Sequence, residues 1–215
     1  DDFSRIFQYE YRVALVPSVF IGQFPRNIVT RKIYSGMLEE GFTHAYEVEH
    51  GSGILIGLIN QYLKDRPEIR PVISSFCPAI VRLIQVRFPA LVNHILPYKA
   101  PLDLAEISFR KRLLDQGIPG EKIGIFYVTP CAAKIAAVKS PVGEESSPID
   151  GVINMNTLYN RVYSLIQREE KGYCIVPEKE QLLPEEMEWS LTGGEARHIS
   201  ARCLSIEGIE NVIEF

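Results

Sequence analysis

Short β-prone apolar runs alternate with amphipathic runs along most of this chain, and no other feature limits its fold as much. YRVALVPS (11–18) reads as a buried strand that ends at Pro17 and Ser18. IVTRKIYSGMLEE (28–40) sets Ile28, Ile33, Met37 and Leu38 near one helical face, and Gly41 follows as a stop. FTHAYEV (42–48) alternates as a strand, Gly51-Ser52-Gly53 breaks the chain, and ILIGLINQYLKD (54–65) is helical. PVISSF (71–76) reads as a short strand, followed by PAIVRLIQVRF (78–88), a helix that Pro89 ends. LDLAEISFRKRLLDQG (102–117) is a helix stopped by Gly117, and KIGIFYVTP (122–130) is a strongly β-prone strand. SPIDGVINM (147–155) gives another strand, and NTLYNRVYSLIQREEKG (156–172) another helix. The rhythm predicts the α/β class: mainly parallel sheet flanked by helices, in two lobes within residues 1–215. KSPVGEESSPID (139–150) and the stretch from Cys174 to Pro184 are the expected long connections.

Composition supplies the limits. With 46% hydrophobic residues there is ample material for a core, and a net charge of −4 gives no basic surface for nucleic acid. No apolar run is long enough to span a membrane, and DDFSRIFQYEYR at the start is not a signal peptide. A cytoplasmic setting with reduced thiols is expected. Both ends read as cut from a longer protein, since GIENVIEF closes without a cap or tail.

Four cysteines occur, at 77, 131, 174 and 203, with no CxxC pair. Scattered cysteines are ordinarily packing. Two of them are placed differently. Cys77 follows PVISSF and opens PAIVRL; Cys131 follows GIFYVTP and opens AAKIAAV. Each adjoins a proline, Pro78 or Pro130. In parallel α/β sheets, ligands sit beyond the carboxyl ends of strands, where the next helices begin, and Ser18 shares that position. A thiolate there is favoured by the helix dipole. Lys134, one turn beyond Cys131, puts a cation over whatever Cys131 binds. A thiol enzyme would need a partner histidine, but His44, His50, His94 and His198 lie in unrelated contexts and read as structural.

At these residues the chain resembles a known family. SSFCPAI, with VRLIQVRFPALV and LPYKAPLDL after it, is similar to the TSCCPxW signature of iron-only ([FeFe]) hydrogenase large subunits. YVTPCAAK is similar to that family's MPCxxKxxE, and YRVALVPSV to its N-terminal strand VAPAVR or VAPSVR. KIYSGMLEEGFTHAYEVEHGSGI matches the unit between them, and TGGEARHI resembles a late stretch of a divergent, sensory-type branch.

The resemblance implies a role for each matched residue. Cys77 and Cys131 would be ligands to the cubane [4Fe–4S] part of the H-cluster. Lys134 would hold a cyanide of the diiron part, and Ser18, beside Pro17, the other cyanide. Thr129 and Pro130 would line the same site. Thiolates suit iron, and cationic or hydroxyl donors suit anionic cyanide.

The departures from the family matter equally. Phe76 replaces the thiol that passes protons to the diiron bridge, and Ala137 replaces the glutamate that continues the path. Thr129 stands for the methionine of MPC and Ile80 for the tryptophan of TSCCPxW. The third signature, a CxxxC element with glycines, is not found, and Cys174 and Cys203 read as structural. The expectation is an H-cluster domain that by itself holds no metal. In the full-length protein, ferredoxin-like [4Fe–4S] domains would precede it, with an unknown redox partner. Three roles compete: hydrogenase, slow hydrogen or redox sensor, and iron–sulfur cluster assembly protein.

Overall fold

The computed structural model describes residues 1–141, 146–168, 182–191 and 193–214. Four strands, β1 (Tyr11–Val16), β2 (His44–Glu47), β3 (Ile123–Thr129) and β4 (Gly151–Asn154), form one all-parallel sheet in the order β2-β1-β3-β4. The register pairs Val13 with His44 and Ile125, and Phe126 with Gly151. Ten α-helices are described: α1 (Ser18–Ile21), α2 (Thr30–Glu39), α3 (Ser52–Asp65), α4 (Pro78–Arg87), α5 (Pro101–Asp115), α6 (Ala132–Lys139), α7 (Met155–Arg168), α8 (Pro184–Trp189), α9 (Gly194–Arg197) and α10 (Ile209–Glu214).

The two-residue period of a strand divides the sheet into two apolar faces. Ala14, Val16, Phe126, Val128 and Ile153 point to one side, where Ile33 and Met37 of α2 and Leu158 and Val162 of α7 cover them. Val13, Leu15, Ile125, Tyr127 and Val152 point to the other, under Ala105, Phe109 and Leu113 of α5. Each of these side chains is fully or nearly fully buried, and each of the larger aliphatic and phenylalanine ones contributes about 1.5–3 kcal/mol. The strand after α2 and the strand after α5 are each reached through a left-handed glycine, Gly41 (φ 111°) and Gly117 (φ 83°), as their place past a helix end requires. The expected parallel α/β arrangement is therefore present, with helices on both faces.

Away from the sheet, the chain around PVISSF differs from expectation. A third cluster gathers Leu55 and Ile59 of α3 with Leu96, Phe76, Tyr98 and Trp189, and no strand is assigned there among the described residues. PVISSF makes only an isolated parallel bridge, Ile73 to Ile95. The serines explain why it turns instead of extending. Ser75 Oγ donates to the Tyr98 carbonyl at 2.9 Å, and Ser74 Oγ accepts the Phe76 N–H at 3.3 Å, so side chains take over from ladder partners. Residues 142–145 of the KSPVGEESSPID connection, and Cys174 with most of its expected crossing, lie outside the described residues. No helix is long and apolar enough to cross a membrane among the described residues.

Candidate functional site

Beyond the carboxyl ends of β1, β2 and β3 lies a cavity of about 440 Å³. Of the residues singled out by sequence, Pro17, Phe76, Thr129, Pro130, Cys131, Lys134 and Ala137 line it. Cys77 itself is exposed, but its neighbours on both sides, Phe76 and Pro78, are wall residues. Ser18 sits at the first turn between the lining residues Pro17 and Val19, with its hydroxyl buried and unpartnered. Ile80 is half-buried within α4 and is not part of the wall.

The local chain sets both cysteines at helix starts. Cys77 is the N-cap of α4, with Pro78 supplying the helix-ready φ of the first position, and its carbonyl accepts the Val81 N–H at 3.1 Å. Cys131 is the N-cap of α6, its carbonyl accepting the Ile135 N–H at 3.0 Å. The buried Thr129 hydroxyl accepts the Cys131 N–H at 3.2 Å, which fixes the turn from the strand side. The two helices pack on one another.

Lys134 ties the two turns together. Burial opposes its charge, yet the phenol of Tyr127 and the thiols of Cys131 and Cys77 outweigh that cost and raise its pKa above the ordinary lysine value. Its ammonium lies 6.0 Å from the centre of the Tyr127 ring. Lys134 and Cys131 share the wall of one cavity, with Phe76 and Pro78 on either side of Cys77.

The sequence reading missed Glu49. This buried residue follows β2 in a 3₁₀ turn over Val48–Gly51 and lines the cavity. Its Oε1 accepts the Ser18 N–H at 2.9 Å and also the Ser190 hydroxyl, while Oε2 is buried without a partner. Trp189 and Ser190, also missed, come from the end of α8 and close the wall, the Trp189 ring lying 5.7 Å from that of Phe76. Only the acidic character of the turn after β2 was visible in sequence; the α8 contacts are too distant along the chain to leave a local pattern.

Behind Glu49, the Tyr34 hydroxyl donates to Glu47 Oε1 at 2.5 Å. Burial raises the Tyr34 pKa far above 10, and the charges of Glu47 and Glu49 raise it further. The unfolded chain ionises this phenol near pH 10 and the folded one does not, so the unfolded state binds fewer protons above that pH. Stability is therefore full below pH 10 and falls as pH rises, by about 1.4 kcal/mol per unit. Urea unfolding between pH 9 and 11 should show this slope in the parent and a shallower one in Tyr34→Phe.

The remaining candidates fall elsewhere. His44 packs edge-on to Phe109, His50 stacks on Tyr46, His94 Nδ1 lies 2.7 Å from the Pro71 carbonyl, and His198 lies 3.1 Å from Glu188, all structural contacts as expected. Cys203, expected to be a structural thiol, is exposed in irregular chain, its Sγ 3.4 Å from the Ala201 carbonyl. It is too open to serve as packing. No group of three or more His, Cys, Asp or Glu suited to a metal is found among the described residues.

Comparison with known proteins bears on the family and the fold. The family model described as iron only hydrogenase large subunit, C-terminal domain, matches residues 11–171. The NADP-reducing hydrogenase subunit HndD of Solidesulfovibrio fructosivorans is 27% identical over 124 residues, 53% of this chain and 21% of that protein. A structure of HydA(deltaEFG), described as revealing stepwise [FeFe]-hydrogenase H-cluster assembly, superposes with a TM-score of 0.63 at 15% identity, covering 79% of this chain and 48% of the other. A variant of apo [FeFe]-hydrogenase HydA1 from Chlamydomonas reinhardtii gives 0.60 at 16% identity, over 74% and 45%. At such identities these structures bear on the fold alone. The chain spans about half the length of the solved hydrogenases, and about a fifth of the curated relative.

Proposed function

The chain belongs to the family defined by the C-terminal domain of the iron-only hydrogenase large subunit, and from that premise we propose that it forms one side of an H-cluster site in a protein that senses hydrogen or converts it slowly. The observation that carries the reading is the placement of Cys131, Lys134 and the two neighbours of Cys77, Phe76 and Pro78, around one cavity beyond the strand ends.

The donor set suits the group. Two thiols at helix starts fit iron, and Lys134 fits an anionic ligand. The buried, unpartnered Ser18 Oγ offers a hydrogen bond to such a ligand, and the unpartnered Glu49 Oε2 accepts one from a bound water or protonated group. Cys77 and Cys131 account for two of the four thiolates a cubane cluster takes. The other two are assigned by this proposal to a further cysteine element of a longer polypeptide, in which ferredoxin-like domains relay electrons. When bound, the cluster supplies the redox chemistry that joins protons and electrons reversibly into hydrogen.

The chain's own residues bind and orient, and they restrict protons. Lys134 and Ser18 hold the anionic face, and Glu49 fixes the Ser18 backbone. Phe76 and Ala137, at the family's relay positions, carry no exchangeable proton. A general acid contributes roughly 10²–10⁴-fold, and its absence favours a sensor over a fast enzyme.

The test is infrared spectroscopy of the longer protein after cofactor maturation. Metal-bound carbonyl and cyanide bands are expected. Iron–sulfur absorption without those bands would support the cluster-assembly role instead, and no cluster at all would sink the reading. With the bands present, hydrogen evolution should be well below that of a relay-competent hydrogenase.

A further inference from the structure

A short late helix is fastened onto the turn that follows β2. α8 opens with a clamp of its own, in which Glu186 Oε2 accepts the Leu183 N–H at 2.9 Å. The same oxygen lies 3.8 Å from His50 Nδ1, and both side chains are largely buried. At the far end of the helix the Trp189 ring lies 5.7 Å from that of Phe76, and the next residue, Ser190, donates its hydroxyl to Glu49 Oε1. α8 therefore grips two adjacent residues of the Val48–Gly51 turn, His50 near its start and Glu49 at its end.

The Glu49 contact reaches beyond that turn. Glu49 is only 2% exposed, and among the described residues its carboxylate receives two hydrogen bonds, both on Oε1: one from the Ser190 hydroxyl and one from the Ser18 N–H at 2.9 Å. A buried carboxylate is costly to leave short of donors, so each of the two counts in how it is oriented. Ser18 opens α1 between Pro17 and Val19, which line the cavity. Its N–H belongs to the first helical turn and has no partner within the helix, and Glu49 supplies one. Residues 18, 49 and 190 thus meet at a single oxygen, and the donor that comes from α8 is Ser190.

We propose that Ser190 is a positioning residue for Ser18: through the Glu49 carboxylate it fixes the first turn of α1 at the cavity wall. That Ser18 meets an anionic ligand there rests on the function proposed above; the positioning itself does not.

The experiment compares Ser190→Ala, Ser190→Cys and Ser190→Thr with the parent. In this chain, exchange of the Ser18 amide should quicken roughly tenfold in Ser190→Ala, as expected when its hydrogen bond to a charged group is loosened. Ser190→Thr keeps the hydroxyl and should restore the parent rate. Ser190→Cys keeps a weak donor and should fall between the two, and it decides the matter if Ser190→Ala fails to fold. Exchange in β3 and α7 should stay at the parent rate throughout. In the matured longer protein, one cyanide infrared band should move in Ser190→Ala in the direction it moves in Ser18→Ala, by a smaller amount, and should return in Ser190→Thr. Quickening confined to residues 184–191 would mean that the hydroxyl only holds the end of α8, and would overturn the proposal. Unchanged Ser18 exchange, loosening spread evenly over the molecule, no rescue by threonine, or a cyanide band that answers to Ser18→Ala but not to Ser190→Ala would each overturn it as well. A parent without cyanide bands would count against the function proposed above and leave the exchange readout able to decide this one.

Discussion

Replacing Arg110 with methionine should lower the unfolding free energy by about 3 kcal/mol, the low end for stripping one partner from a buried ion pair. Arg110 lies on α5, where its Nε binds Glu106 and its Nη2 reaches Asp150 Oδ2 at 3.1 Å and the Pro148 carbonyl at 2.8 Å. Burial works against the guanidinium, but the hydrogen bonds and charges of Glu106 and Asp150 prevail and raise its pKa. Glu106 is only 2% exposed, so without Arg110 it must either stay charged and unpaired or take up a proton. The low end applies because the arginine side chain keeps 24% of its exposure and part of its charge is already solvated.

The same loss should be felt at the site. Asp150 also accepts the Ile125 N–H at 2.8 Å, and Ser147, Pro148 and Ile149 form part of the cavity wall. Urea denaturation gives the stability, and exchange of the 147–150 amides reports the wall. Pairing Arg110→Met with Glu106→Leu should recover most of the loss, because no uncompensated charge remains. A single-variant cost below about 1 kcal/mol would mean that the pair behaves like a surface bridge.

How much of this was legible depended on whether the signal was local. β1 and β3 were readable because YRVALV and IGIFYVT are continuous apolar runs, and α2 because its apolar residues recur at helical spacing. The placement of Cys131 and Lys134 was readable for the same reason: a strand, a turn and a helix follow each other without interruption. PVISSF failed that test because two serine hydroxyls compete for the backbone, which β-propensity does not register. Glu49 was missed because its significance comes from Ser190, 141 residues away. Trp189 shares that difficulty. Family resemblance singled out Cys77, Cys131, Phe76 and Ala137, but it gave no hint that the end of α8 closes the cavity.

That closure sharpens what should follow from Phe76→Cys. In the matured longer protein the substitution should raise hydrogen evolution by about 10²-fold, the low end of what a general acid supplies. Phe76 lines the cavity and packs against Trp189 in the third apolar cluster. A cysteine there brings a proton that titrates near pH 8.5, where phenylalanine brings none. The low end is chosen because Ala137 still breaks the second step; adding Ala137→Glu should increase the rate further. Stability moves the opposite way. Full burial of a phenylalanine is worth about 3–5 kcal/mol on truncation, and Phe76 is half-buried, so a loss of about 1–2 kcal/mol is expected. The loss should shrink in Trp189→Ala, which has already given up the ring contact. Turnover with a reduced viologen, normalised to iron content, separates the two effects, since a less stable protein loses occupancy and a repaired relay gains rate per site. Unchanged turnover per loaded site in Phe76→Cys would show that proton delivery is not what limits this cavity, and the sensor reading would then need a cause other than the missing acid.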